Sequence, residues 1–173
     1  ILTSTLDLQE LLNRLLSALV DVFSVESASL LLLEEGSNEL VFQIVQGLGG
    51  EQLVGKRLSA STRSIASYVA QTGKPVISND VQSEPQWYAK MDKVTGVSTH
   101  QLVGVPLKQR GEVIGVVEIV NRHDTMPFTD YDVDLLVALA AQAAIVIENA
   151  QLYEKIQQEL GEDFPVGFKL NAH

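Results

Sequence analysis

Gln101-Leu102-Val103-Gly104-Val105-Pro106-Leu107, then the turn Lys108-Gln109-Arg110-Gly111, then Glu112-Val113-Ile114-Gly115-Val116-Val117-Glu118-Ile119-Val120-Asn121-Arg122: this stretch decides how the chain folds. Both halves are rich in β-branched residues and a glycine-bearing turn joins them, which predicts a pair of antiparallel strands. Alternation places Glu112, Ile114, Val116, Glu118 and Val120 on one face of the second strand, and Val113, Gly115, Val117 and Ile119 on the other. Glu118 therefore sits mid-strand between apolar neighbours. An unpaired carboxylate there is costly, so it needs a basic residue, a backbone amide, water or a ligand. The residues leading into the pair, Asp92 to His100, are polar and include the hydroxyls of Thr95, Ser98 and Thr99.

Working outward, the chain supplies elements to build around this pair. Leu6, Leu8, Leu11, Leu12, Leu15, Leu16, Leu19, Val20 and Phe23 follow helical spacing, and leucines on more than one flank imply contact with the sheet and with something else. The apolar run Ala28 to Leu33 and the segment Leu40 to Val45 read as strands joined by a turn at Gly36-Ser37-Asn38. Ser61 or Thr62 is expected to open a short helix carrying Ile65, Ala66 and Val69, closed by Gly73 and Pro75 and followed by a brief strand Val76-Ile77-Ser78. Trp87 is expected to anchor a loop on the core. Thr129 caps a long final helix with Asp130, Asp132 and Asp134 in its first turns. In that helix Leu135, Leu136, Leu139, Ala143 and Ile147 can face the sheet. Leu139, Gln142, Val146, Asn149, Tyr153, Ile156 and Leu160 make steps of three and four, the rhythm of a coiled-coil seam. Gly161 and Pro165 are expected to end it.

Hairpin-like strand pairs with helices gathered around them predict an α+β domain. Its central, mainly antiparallel sheet has about five to six strands, with the N- and C-terminal helices on one face and a loop-covered ligand pocket on the other. The expected organisation is one domain over residues 1–153, including its N-terminal helix, and a signalling-helix extension and tail over 154–173.

Composition narrows the function. Of 173 residues 46% are hydrophobic and 20% charged, enough to bury a core, and the net charge of -10 disfavours nucleic acid and anionic membrane as partners. No apolar run reads as long enough to span a bilayer, and direct membrane contact is not expected. With no cysteine, the chain has no thiol nucleophile, cysteine-ligated zinc or thioether-linked chromophore. His100, His123 and His173 lack metal-ligand spacing, and no phosphate-binding loop, nucleophile elbow or catalytic triad is visible. A non-enzymatic domain with a recognition site is expected. Asp92, Thr95, Thr99 and Glu118 can hydrogen-bond a base edge, a ribose or a comparable small polar ligand. Equally, Thr95-Gly96 can be a turn and Glu118 the partner of a nearby basic group.

At Asp92-x-x-Thr95-Gly96-x-x-Thr99, Val103-x-Val105-Pro106-Leu107 and Glu112-Val113-Ile114-Gly115-Val116-x-Glu118-x-Val120-Asn121 the sequence resembles the GAF domain family. It is most similar to the branch of cyclic-nucleotide phosphodiesterases and cyanobacterial adenylyl cyclases. The resemblance implies ligand-binding positions at Ser29, Ile65, Ala66, Asp92, Thr95, Thr99 and Glu118. Where the branch carries a Phe-Asp pair that stacks on and reads the base, this chain has Val45-Gln46. The branch's Asn-Lys…Phe-x-x-x-Asp-Glu signature corresponds to Asn121, Arg122, Phe128 and Asp132, with Val133 in place of the glutamate. The resemblance implies a structural clasp there, with Arg122 bidentate on Asp132. It also implies cyclic AMP or cyclic GMP as a non-covalent ligand and a homodimer through the terminal helices. A downstream output domain in the same, longer and cytoplasmic protein completes the picture; a ligand-free dimerisation or protein-contact spacer is the alternative.

Overall fold

A computed structural model describes residues 5–47, 49–59, 61, 64–83 and 98–163, without the side chains of 5–7 and 161–163. The elements in order are α1 (Thr5–Phe23), β1 (Val25–Glu34), β2 (Glu39–Gly47), α2 (Gly50–Leu53), β3 (Arg57–Ser59), α3 (Ile65–Thr72), β4 (Val76–Ser78), a 3-10 turn (Val81–Ser83), β5 (Leu102–Gln109), β6 (Glu112–Arg122) and α4 (Asp130–Asp163). The six strands form one sheet in the order β3-β2-β1-β6-β5-β4, and every neighbouring pair is antiparallel. The α+β architecture expected from the sequence is therefore present. The small α2 and β3, which alternation alone did not reveal, add an edge strand.

Two apolar layers sandwich this sheet. On one face Leu12, Leu16, Leu19 and Phe23 of α1 and Leu136, Ala140, Ala143, Ala144 and Ile147 of α4 pack on Ala28, Leu30, Val103, Val105, Val117 and Ile119. The terminal helices thus share a face, each burying a stripe that recurs every three or four residues. On the other face Ile65, Ala66 and Val69 of α3, with Val81, pack on Leu31, Leu40, Phe42, Leu102 and Val116. Close approach demands glycine at one point: a Cβ on Gly115 would lie 2.2 Å from the Leu31 carbonyl oxygen.

Local caps follow hydrogen-bonding chemistry and correct one sequence-based expectation. Ser64, rather than Ser61 or Thr62, caps α3: its Oγ accepts from the Ser67 N–H at 3.0 Å. Gly73, in the left-handed region, closes that helix as expected. Thr129 caps α4, its Oγ1 accepting from Asp132 N–H at 3.4 Å while Asp132 Oδ2 accepts from Thr129 N–H at 2.8 Å.

Helix α4 runs unbroken to Asp163, through Gly161 and through the boundary drawn at residue 153. It also corrects the reading of hydropathy. An 18-residue window within Asp130–Leu160 has a mean hydropathy of 1.7, apolar and long enough to cross a membrane by length and composition; in this fold a third of that window is buried. The sheet-facing stripe sets which positions remain outside. Ala138, Gln142, Ile145, Asn149, Leu152, Ile156 and Glu159 are all exposed and form a run of alternating four- and three-residue steps. Of the expected seam positions, Leu139 and Val146 pack against the core and Gln142, Asn149 and Ile156 stay exposed, while Ile145 and Leu152 also lie outside.

Candidate functional site

The site is a single row across five strands. Val45 of β2 pairs with Ser29 of β1, Ser29 with Glu118 of β6, Glu118 with Gly104 of β5, and Gly104 with Val76 of β4. All five belong to the face covered by α3, since each alternates with residues of the helix-side core. Gly104 lets α3 settle directly on the row. A Cβ there would touch Val69 Cγ2 at 3.4 Å and Ile65 Cγ2 at 3.6 Å. Ile65 and Ala66 form the first turn of α3, where amide N–H groups have no intrahelical partner and favour anions. Ser64 and Ser67 secure that end: Ser64 Oγ donates to Ser67 Oγ, and Ser67 Oγ donates to the Ser59 carbonyl of β3.

Glu118 is the unusual member. It is only 8% exposed, and among the described residues no hydrogen bond or ion pair engages its carboxylate. Burial alone pushes its pKa up from 4.5 to about 7. Ser29 stands beside it as its direct cross-strand partner and is 4% exposed.

Of the residues expected at a ligand site, the structure brings Ser29, Val45, Ile65, Ala66 and Glu118 to this face. Thr99 is buried just ahead of β5, where its carbonyl accepts from Gln82 Nε2 at 3.2 Å. Asp92, Thr95 and Trp87 lie outside the described residues. Gln46 is placed elsewhere. Its Nε2 donates to Asn13 Oδ1 of α1 at 2.8 Å, at a shallow groove of about 570 Å³ on the helix side. A register shift in β1–β2 pairing explains this: Leu30 faces Ile44 but Leu31 faces Phe42, so Gln43 is an extra residue and the alternation changes phase. Phe42 and Val45 therefore share one face, and Gln46 turns to the other.

A polar latch supports the start of β5. Asn121, 5% exposed and at φ +57, accepts at Oδ1 from the N–H groups of His100 (2.8 Å) and Gln101 (2.9 Å). Its Nδ2 donates to Glu26 Oε1 and to the Ser98 carbonyl, both at 2.9 Å. Gln101 continues the network, donating to the Met126 carbonyl at 2.7 Å and accepting from Arg122 N–H at 2.9 Å. Asn79 ties the buried Phe128 into it through both backbone groups. Sequence reading missed Asn79 and Gln101; amides directly flanking strand ends were the available signal. The clasp also differs from expectation. Arg122 is bidentate on Asp124, at 2.8 and 2.6 Å, and only 3.7 Å from Asp132, whose carboxylate is occupied by the helix cap. The Arg122 hydrogen bond, with help from Met126 N–H, holds the Asp124 carboxyl at about 2.

A six-stranded antiparallel sheet with both terminal helices on one face and a short helix over a polar row on the other defines an α+β class. The GAF domain family model matches residues 5–148, and the chain belongs to that family. A probable 3′,5′-cyclic phosphodiesterase of Caenorhabditis elegans is 35% identical over 97 residues, covering 56% of this chain and 13% of that protein. A dual 3′,5′-cyclic-AMP and -GMP phosphodiesterase of Drosophila melanogaster is 34% identical over 97 residues, covering 56% of this chain and 7% of that protein. The chain thus matches only a small part of these relatives. Among solved structures, the GAF domain of a phosphoenolpyruvate-protein phosphotransferase from Coxiella burnetii has a TM-score of 0.76 at 23% identity, covering 86% of each chain. Free methionine-R-sulfoxide reductase from Neisseria meningitidis, in complex with its substrate, has a TM-score of 0.71 at 22% identity, covering 85% of this chain and 81% of that one. At these identities the likeness is one of fold.

Proposed function

We propose that this GAF domain is a regulatory sensor module of a larger, cytoplasmic signalling protein. It binds a small ligand, with cyclic AMP or cyclic GMP the leading candidate, and passes binding to an output domain through terminal helices paired with a second copy. The observation that carries this reading is the Val45–Ser29–Glu118–Gly104–Val76 row beneath the first turn of α3. It combines an apolar floor, a hydroxyl, a carboxyl without a described partner and a helix end suited to a phosphate, the mixture expected of a small-molecule site. The cyclic-nucleotide phosphodiesterases among its relatives support the ligand class. Asp92, Thr95 and Thr99 complete the proposed ligand set. The exposed heptad run on α4 supports pairing of two copies, with Ile145, Leu152 and Ile156 as its apolar positions.

Calorimetric titration of the purified domain with each nucleotide tests the reading. Saturable binding of one or both is expected, and none at millimolar concentration removes the nucleotide assignment.

One observation favours a second reading, a ligand-free dimerisation or contact spacer. With Gln46 turned to α1, the position that would read a base is apolar Val45. On that reading neither nucleotide binds, and Thr99→Ala and Glu118→Gln change stability alone. Catalysis like that of the methionine sulfoxide reductase is disfavoured, because reducing a sulfoxide needs an electron donor and these 173 residues contain no thiol.

A further inference from the structure

We propose that the pocket takes up an anionic ligand group together with a proton, held by Glu118 as a neutral carboxylic acid that donates a hydrogen bond to the anion. This rests on the ligand-binding reading above and adds the charge and protonation state of the bound complex.

The geometry sets the requirement. Gly104, over which the first turn of α3 lies, is the direct cross-strand partner of Glu118. Ile65 of that turn reaches to 3.6 Å from where a Gly104 Cβ would stand, and Glu118 is one strand, about 4.8 Å, across from Gly104, so an anion held by the Ile65 and Ala66 amides enters the same buried face as that carboxyl. Two negative charges at such a separation in a poorly solvated site repel strongly.

No described cation relieves the repulsion. On β6 the Arg122 guanidinium is committed to Asp124. On β5 Lys108 lies at the far end, against Gly73. On β1 Glu26 bonds Asn121 and Glu34 pairs with Arg57, which also holds Glu39 of β2. In α3 the only titratable side chain is Tyr68, and β4 has none. In the 3-10 turn region Asp80 accepts from Ser83 Oγ. A neutral acid removes the conflict and turns Glu118 into a donor for the anion, with the Ser29 hydroxyl beside it. Burial alone already favours that form near neutrality, so retaining the proton costs little.

Calorimetry of the domain with cyclic AMP and cyclic GMP at pH 6, 7 and 8 tests this, because their phosphodiester stays ionised throughout. Two buffers of different ionisation enthalpy reveal proton exchange. The expected result is a roughly tenfold loss of affinity from pH 6 to pH 8, with proton uptake on binding that approaches one at the high end. Glu118→Gln is expected to abolish the pH slope, and the proton count on the unaltered domain stands without the variant. Affinity that is flat or rises with pH, or proton release, overturns the inference while leaving the ligand reading intact. Absence of binding to either nucleotide at every pH overturns both.

Discussion

Replacing Glu118 by Gln should make the fold less sensitive to pH, and the size of the effect follows from burial. In the native protein the carboxyl titrates at about 7, against 4.5 for the free side chain, because the α3-covered face strips it of water. Its ionised form is therefore about 3 kcal/mol less favourable in the folded protein than in the unfolded chain. Between those two values the native state still holds a proton that the unfolded chain has released. Stability contributed by this group is then fully present below pH 4.5, is lost as pH rises through 7, and stays lost above. Gln keeps the shape and the hydrogen-bonding capacity but cannot ionise. Urea unfolding of the wild type and Glu118→Gln, followed by tryptophan fluorescence or circular dichroism from pH 4 to pH 8, isolates the group, since every other titration is shared. The stability difference, wild type minus variant, should fall by about 3 kcal/mol across that range. A difference that does not change with pH would mean that Glu118 is solvated or charge-paired, and would refute the reasoning.

Four further outcomes test other parts of the structure. Asn121→Ala, which removes the acceptor of two backbone N–H groups and the donor to Glu26 and Ser98, should cost roughly 3 kcal/mol in urea unfolding; Asn121→Gly, which tolerates φ +57, should recover a part of it. Gln46→Leu should cost about 1 kcal/mol through loss of the Asn13 bond yet leave nucleotide affinity within twofold by calorimetry, because it lies across the sheet from the site. Gly115→Ala should destabilise by roughly 2–3 kcal/mol, since backbone rather than a movable side chain blocks the new methyl. Ile145→Glu combined with Leu152→Glu should convert the proposed dimer to a monomer in sedimentation velocity at high micromolar concentration, whereas Leu139, packed inward, should not be part of the proposed seam.

Local pattern went far here. The alternation around Glu118, the helical spacing of the α1 leucines and the Thr129 cap each depend on neighbours close in sequence, and each reappears in the fold. Asn121 and Phe128 were legible as a clasp, but the bidentate partner of Arg122 was not. Asp124 sits two residues away in a turn, and Asp132 is drawn off to cap α4, a competition that spacing cannot rank.

By itself the sequence determined the order and type of the main elements, the antiparallel pairing of β5 with β6, and the lone acid in an apolar strand. Only the tertiary structure decided which faces those elements present. Strict alternation from Leu40 and Phe42 would send Gln46 to the face covered by α3; one extra residue at Gln43 reverses the phase and sends Val45 there instead. On α4 two candidate stripes overlap by one position, and packing of Leu136, Ala140, Ala143 and Ile147 on the sheet leaves Ile145 and Leu152 outside. In both places the local pattern fits either phase nearly as well, and the apolar area buried between distant segments selects one.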